Sequence, residues 1–238
     1  MCEHYIARAG EPFRLDELWS FTDRLERYGI AGFGWGAAWL TAEGSLASYR
    51  DLRAFHDDAG REAVGATETT AALVHLRRPS KLSTLGMADT QPFDDPAGRF
   101  AFSHNGDLRD IRTWRARYRA EGRIHGRADT EVGARWLEDA WPTCSDAGRL
   151  LSDLHKTFGG QANLSVLAAD GSASAYAGNT ENPVFTFRLG RIGIASTGIY
   201  SIDRSVFRYV APGARERRLV RIGSAITLDR NGGVAQAS

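Results

Sequence analysis

Apolar residues along the chain follow two spacings that separate helical from extended segments. Leu18, Phe21, Leu25 and Tyr28 stand three or four positions apart, as on one face of a helix, whereas residues 71–76 form a nearly continuous apolar run typical of a buried strand. Helices are predicted over 16–28, 108–120, 129–140 and 146–158. Strands are predicted over 2–8, 34–40, 44–49, 71–76, 99–103, 162–169, 173–177, 184–188, 192–196, 205–210, 217–222 and 225–229.

The order of these elements predicts one domain of mixed helix and sheet. Two groups of helices are separated by many strands, and the 238 residues contain no linker, repeat or low-complexity tract. Residues 79–98 are rich in Pro, Ser, Gly and Asp and are expected to form a loop, while residues 231–238 are expected to form a frayed tail. We therefore expect a single domain over residues 1–238.

Charge and composition exclude several classes of function. The 30 basic and 29 acidic residues leave a net charge of +1, so no excess positive charge is available to attract nucleic acid or an anionic membrane. No apolar run is long enough for a signal peptide or a membrane helix, and two cysteines do not make a disulfide framework. We expect a protein of the reducing cytoplasm.

Cofactor and metal signatures are missing from the sequence as well. It contains no glycine-rich phosphate loop, and none of its histidines are paired at metal-ligand spacing, so we expect neither a cofactor nor a metal site. His4, His75 and His104 are expected in the core or in support of a site.

Cys2 is the residue around which the candidate chemistry is organised. Its small side chain favours removal of Met1, and the mature chain would then begin with a thiol and a free α-amine that titrates near neutrality. That amine can take the thiol proton and return it to a leaving group, so nucleophile and base would share one residue. The alternative is that Met-Cys is a chance dipeptide without a function.

Three further features stand at the ends of predicted elements. Arg77 follows the strand at 71–76, Asn105 and Gly106 follow the strand at 99–103, and Asp129 opens a helix. Each has an ordinary interpretation, as a surface cation, a turn dipeptide and a helix cap. Together they match a thiol that attacks the amide of an amino-acid substrate. The Asn-Gly pair can donate to an oxyanion, while the arginine and the aspartate can pair with an α-carboxylate and an α-ammonium.

The order of these motifs resembles that of the class II glutamine amidotransferases, a branch of the N-terminal-nucleophile hydrolases. The matching motifs are Cys2, Arg-Arg-Pro-Ser at 77–80, Asp-Thr-Gln-Pro-Phe at 89–93, His-Asn-Gly-Asp-Leu at 104–108 and Ala-Asp-Thr-Glu at 128–131. Their order is more specific than any one of them. Phe-Gly-Trp-Gly at 33–36 is similar to a strand of the free-standing, single-domain members, and the resemblance is softer in the second half of the chain.

The resemblance implies a fold of the α+β class, a four-layer αββα sandwich, and a set of catalytic residues. By it, Cys2 is the nucleophile and its α-amine is the base. Asn105 and Gly106 form the oxyanion hole. Arg77 and Asp129 hold the α-carboxylate and the α-ammonium of glutamine.

Other positions bear on the loop around the substrate. Ser80 falls where the family often has a threonine that touches the substrate. Pro79 departs from the family's usual Arg-aromatic-Ala-Thr pattern and biases Arg78 toward an extended backbone, so this loop is expected to differ. Gln91 stands where many members have a histidine, a change that we treat as neutral.

Three functions fit the sequence. The first, which we expect, is a glutaminase component that supplies ammonia to a separate synthase subunit, because a domain of this size leaves no room for an acceptor site. The second is a hydrolase of another γ-glutamyl amide, with the same cysteine and with water as acceptor. The third is an inert scaffold subunit, which would have no chemical need for the full set of site residues. Homo-oligomerisation stays open, and no nucleic acid or membrane partner is expected.

Overall fold

A computed structural model describes residues 2–79, 81–199 and 204–236. Its helices are α1 (Trp19–Gly29), α2 (Gly60–Gly65), α3 (Arg112–Ala120), α4 (Asp129–Ala140), α5 (Ala147–Phe158) and α6 (Phe207–Val210). Its strands are β1 (Glu3–Arg14), β2 (Trp35–Leu40), β3 (Leu46–Asp51), β4 (Glu68–Leu76), β5 (Phe93–Asp94), β6 (Phe100–Leu108), β7 (Gly160–Ala168), β8 (Ala173–Ala177), β9 (Val184–Leu189), β10 (Ile192–Thr197), β11 (Arg215–Leu219), β12 (Ser224–Leu228) and β13 (Val234–Gln236).

The strands of the described residues form two antiparallel sheets. One has seven strands in the order β11-β9-β10-β1-β4-β2-β3, and the other has six in the order β13-β12-β8-β7-β6-β5. Successive side chains of a strand point to opposite faces, so Tyr5 packs against α1 on the outer face of the first sheet while Ile6 faces the second sheet.

Three apolar clusters hold the layers together. The first lies between the seven-stranded sheet and α1, and includes Leu25 and Val74. The second lies between the six-stranded sheet and the helices α3, α4 and α5, and includes Leu137 and Leu154. The third, rich in alanine, fills the space between the two sheets. The result is a four-layer αββα sandwich, which confirms the expected fold class.

Several predicted elements are confirmed, and the differences have local causes. The helix at 129–140 and the strand at 173–177 agree to the residue. The strand predicted at 205–210 is wrong, because residues 204–210 are helical and turn Phe207 and Val210, three positions apart, into the core beside α1. Helix α1 ends one residue later than expected, at Gly29, and Ile30 follows it in the left-handed conformation (φ 54°).

Two further differences concern segments for which no helix or strand was predicted. The short helix α2 was not expected. Of the tail at 231–238, the described part is ordered, since Val234–Gln236 pairs with β12. No helix within the described ranges is long and apolar enough to cross a bilayer.

Candidate active site

The sheet register brings the start of β1 and the end of β4 together. These strands are antiparallel neighbours in which Glu3 pairs with Leu76, so Cys2 lies beside Arg77 and Arg78 although 75 or more positions separate them in sequence. Strand β6 of the other sheet and the first turn of α4 complete the wall of a cleft. Its lining includes Cys2, Arg77, Asp89, His104, Gly106 and Asp129.

The Cys2 thiol is held by the main chain of Arg78. The Arg78 N–H donates to Sγ over 3.4 Å, and the thiol points to the Arg78 carbonyl oxygen over 3.6 Å. Burial raises the pKa of the Cys2 thiol, while the hydrogen bond from Arg78 and the charge of Arg77 act in the opposite direction. The hydrogen bond from Arg78 and the charge of Arg77 therefore both favour the thiolate form.

Asn105 and Gly106 lie against Cys2 from the second sheet. The side-chain amide of Asn105, which is fully buried, donates from Nδ2 to the main-chain carbonyl of Cys2. Gly106 pairs with Ala162 at φ 124°, and a Cβ at this position would collide with the carbonyl oxygen of Gln161. The motif was expected to follow a strand, but β6 continues through it, so both residues are fixed by the ladder with β7.

Arg77 is buried, and its guanidinium organises the loop that follows it. Nη1 donates to the carbonyl of Gly86 over 3.1 Å and to the hydroxyl of Thr90 over 2.8 Å, and Nη2 donates to the carbonyl of Thr84. Burial lowers the pKa of Arg77, which remains a cation because its ordinary value is so high. The predicted carboxylate-binding group thus faces the cleft and also supports its rim.

Asp129 is the first residue of α4, and its carboxylate remains a quarter exposed. Oδ2 accepts a hydrogen bond from the Leu108 N–H over 2.7 Å, which ties the helix start to the end of β6. Asp89 fixes the preceding segment, since its Oδ1 accepts from the N–H groups of Arg127 and Ala128 over 2.6 Å each. The cleft therefore carries a guanidinium and carboxylates on fixed supports.

Gln91 is a supporting residue that sequence reasoning did not assign. Its Oε1 accepts from the His104 N–H over 2.6 Å, and its Nε2 donates to the His104 carbonyl over 3.1 Å. This side-chain amide thus takes both main-chain polar groups of the residue before Asn105, close to where the short strand β5 begins.

The three histidines expected in the core or in support of the site are all buried. Nδ1 of His4 and Nδ1 of His75 lie 3.1 and 2.7 Å from the Ser103 hydroxyl, between the sheets. Burial lowers the pKa of His4 to about 3 and also lowers the pKa of His75 and of His104. They are neutral at pH 7.

The structure brings together five of the six predicted site residues. Cys2, Arg77, Gly106 and Asp129 line one cleft, and Asn105 contacts Cys2. The sixth, Ser80, lies outside the described residues. Sequence reasoning did not single out the contacts of Asp89 and Gln91 with main-chain groups beside the cleft, or that of Asn163, whose side chain donates to Asn105 Oδ1. The first two stand in a quoted motif, whereas the third is reached only through strand register.

No protein-family model matches the sequence, and no curated protein matches it. Solved structures do match. The glutamine phosphoribosylpyrophosphate (PRPP) amidotransferase from B. subtilis has a TM-score of 0.75 at 15% identity, covering 100% of this chain and 49% of its own. A structure described as the allosteric regulatory enzyme of purine biosynthesis has a TM-score of 0.75 at 15% identity, with 99% and 48% coverage.

A third match has nearly the same length as this chain. It is a glutamine aminotransferase class-II domain protein from Silicibacter pomeroyi, with a TM-score of 0.63, 16% identity and 98% coverage of both chains. The chain thus spans about half the length of the first two proteins and nearly all of the third. At these identities the likeness establishes a shared fold.

Proposed function

We propose that this chain is a class II glutamine amidotransferase domain that releases ammonia from glutamine through an N-terminal cysteine. One observation carries the proposal. Cys2, Arg77, Gly106 and Asp129 line a single cleft, with the Asn105 amide on the Cys2 carbonyl, although they come from both sheets and one helix. The names of the structurally similar proteins point in the same direction.

The charges of the cleft suit an amino-acid substrate. The guanidinium of Arg77 would take the α-carboxylate, and the partly exposed carboxylate of Asp129 would take the α-ammonium. Held by these two groups on its α-carbon, glutamine presents its side-chain amide to the Cys2 thiol. Other γ-glutamyl amides carry the same two groups, so the leaving group alone distinguishes glutamine from them.

The proposed reaction needs Met1 to be removed, because the free α-amine of Cys2 is the base. The amine takes the thiol proton as Sγ attacks the amide carbon, and the Asn105 amide and the Gly106 N–H stabilise the oxyanion. The proton then passes to the leaving nitrogen, ammonia departs and a γ-glutamyl thioester remains. Water hydrolyses the thioester to glutamate and restores the thiol.

We further propose that a separate synthase chain consumes the ammonia. The part matched here makes up about half of each of the two longer proteins, so a glutaminase fold of this kind occurs joined to further structure. Ammonia released into water at neutral pH is mostly protonated and no longer nucleophilic, so a glutaminase that serves a synthase gains by reacting only when the two are docked. A reducing compartment such as the cytoplasm would keep the thiol active.

The first experiment tests the nucleophile. Intact-mass analysis is expected to show a protein without Met1, and a diazoketone analogue of glutamine is expected to add once, at Cys2. Cys144→Ser is the matched control, since it removes the other cysteine and should not change labelling. Complete retention of Met1, or labelling that persists in Cys2→Ala, would exclude the proposed chemistry.

The second experiment tests the substrate. Release of glutamate by the isolated protein is measured for glutamine and for a panel of γ-glutamyl amides with bulkier leaving groups. We expect slow hydrolysis of glutamine that accelerates when the synthase is added. Fast, partner-independent cleavage of one bulky amide, with glutamine nearly inert, would instead establish a γ-glutamyl hydrolase.

A further inference from the structure

The direction of the Asn105 amide decides whether the proposed oxyanion meets a donor or an acceptor. An asparagine side chain presents NH2 on one side and a carbonyl oxygen on the other, and the two can exchange by rotation about one bond. In the ladder between β6 and β7, Asn105 is paired with Asn163, which is also fully buried. Asn163 Nδ2 donates to Asn105 Oδ1 over 3.1 Å.

We propose that Asn163 is a positioning residue that keeps the NH2 group of Asn105 directed at Cys2. The inference rests on the proposed function, because it deepens the role of the oxyanion hole. It assigns a task to a buried amide that makes no contact with the cleft.

The orientation of Asn163 itself is fixed by main-chain groups, which cannot exchange donor for acceptor. Its Oδ1 accepts from the N–H groups of Gly178 and Asn179 over 3.2 and 3.1 Å. Its Nδ2 donates to the carbonyl of Asn182 over 2.7 Å. Only one orientation satisfies these three bonds, so Asn163 must present a donor to Asn105, whose own NH2 then faces Cys2.

The segment that orients Asn163 is anchored to the residue after the nucleophile. The Asn182 side chain donates from Nδ2 to both carboxylate oxygens of Glu3 over 3.1 Å, and its Oδ1 accepts from the Gly198 N–H over 3.0 Å. A chain of hydrogen bonds therefore links β1 to the carbonyl of Cys2 through Glu3, Asn182, Asn163 and Asn105. It fixes the position of the nucleophile relative to the oxyanion donor across the two sheets.

The test is Asn163→Asp, which keeps the size and the acceptor facing Gly178 and Asn179 but replaces the donor by an oxygen. Asn105 must then turn its NH2 toward the new carboxylate and away from Cys2. We expect kcat to fall by about 10²-fold with KM for glutamine unchanged, as for loss of one oxyanion donor. The double variant with Asn105→Ala should be no slower than Asn105→Ala alone.

The pH profile separates positioning from a general loss of structure. When the carboxyl group introduced by Asn163→Asp is protonated, it regains a donor, so the deficit of this variant relative to wild type should shrink as pH falls and grow as pH rises. Ser165→Ala is the matched control, because it removes another buried hydrogen bond two residues along the same strand. It should cost stability without changing kcat. Wild-type kcat in a folded Asn163→Asp protein would overturn the inference.

A readout that needs no turnover keeps this inference separate from the proposed function. In wild type, nuclear Overhauser contacts from the Asn105 side-chain NH2 are expected to Cys2, and in Asn163→Asp they should be lost. Asn163→Ala, which removes the donor altogether, gives the same readout if the aspartate variant does not fold. If the contacts between the Asn105 NH2 and Cys2 are unchanged in both variants, the positioning role of Asn163 is refuted, even if the protein hydrolyses glutamine. If wild-type protein hydrolyses no γ-glutamyl amide, the proposed function is refuted, but the positioning role is not.

Discussion

Arg77 combines a structural role in the loop with the proposed role of binding the α-carboxylate of the substrate. Its guanidinium lines the cleft and at the same time holds the carbonyls of Thr84 and Gly86. A planar fork with five N–H donors can serve several acceptors in fixed directions, which an ammonium on a flexible stem cannot do. The identity of this side chain therefore affects both the rim of the cleft and its charge.

We predict that Arg77→Lys lowers kcat/KM for glutamine by about 10²-fold, because the α-carboxylate loses its paired donors in a partly closed site. Steady-state glutamate release measures the effect. Arg50→Lys is the matched control, since Arg50 also holds the loop, donating to the Thr90 carbonyl over 3.0 Å, but does not line the cleft. Full activity in Arg77→Lys would mean that Arg78, or neither arginine, binds the α-carboxylate.

Glu3 makes stability depend on pH. The carboxyl group is buried, and burial raises its pKa from 4.5 to about 7, against the hydrogen bonds from Thr197 and Asn182. Since the folded value lies above the unfolded one, the folded state binds the proton more tightly. This contribution to stability is full below pH 4.5 and is lost as pH rises through 7.

We predict that Glu3→Gln removes this loss. Between pH 5 and pH 8 the free energy of unfolding of wild type should fall relative to the variant by about 2.5 kcal/mol. Buried His4 has the opposite slope, because its lowered pKa costs stability as pH falls, so only the difference between the two proteins isolates Glu3. Urea unfolding at four pH values measures it, and Glu62→Gln, at an exposed site, controls for net charge. Parallel profiles would contradict the prediction.

At the scale of elements, the position of the Asn-Gly motif in the cleft depends on β6, which continues through it. An Asn-Gly pair by itself indicates a turn, but here it is part of a strand, because β6 and β7 form nine residue pairs that include both residues. Only a glycine can take the φ of 124° at position 106 and leave room for the Gln161 carbonyl. Helix α4 then begins where Asp129 meets the end of that strand.

We predict that Gly106→Ala destabilises the protein by at least about 3 kcal/mol, because a backbone outlier and a collision with main-chain atoms add together. Gly44→Ala is the control, since Gly44 also has a positive φ of 78° but has no heavy atom within reach of an added Cβ. It should cost about 1 kcal/mol. If chemical denaturation shows that Gly106→Ala and Gly44→Ala lose the same free energy of unfolding, strand β6 can shift to accept a side chain at position 106.

At the scale of the whole molecule, the cleft exists only because two sheets meet. Cys2 and Arg77 come from the seven-stranded sheet, whereas Asn105, Gly106 and Asp129 come from the six-stranded sheet and its helix layer. The alanine-rich cluster between the sheets lets them approach closely. The C-terminal segment adds a contact farther along β1, where Gly232 lies against the main chain of Arg8 and Gly193.

We predict that truncation after Arg230 lowers Tm by several degrees, because it removes β13 and the contact of Gly232 with both β1 and β10. Arg8 is about 20 Å along β1 from Cys2, so kcat and KM measured well below Tm should stay at wild-type values. Thermal scans and glutamate release on the same samples give both quantities. A truncated protein with unchanged Tm, or with altered kcat, would contradict this account of the tail.

Apolar spacing along the sequence determined most of the helices and strands. The sandwich class, and Cys2, Arg77, Asn105, Gly106 and Asp129 as a candidate set, were implied by a motif order that resembles one family. Apolar spacing and motif order can both be read from the chain without its tertiary structure. The sequence did not determine the helical turn of residues 204–210, where Phe207 packs against the distant Phe185 and Phe187. The strand at Val234–Gln236 and the left-handed Ile30 were not predicted either.

Only the tertiary structure decided which side chains support the site. Strand register places Asn163 opposite Asn105 and Glu3 opposite Leu76, and a shift of one residue would turn each to the other face of its sheet. Gln91 and Asp89 act through main-chain groups of residues far along the chain. Hydrogen bonds of this kind depend on positions to within a fraction of an ångström, and such positions are set by the packing of the two sheets rather than by local sequence.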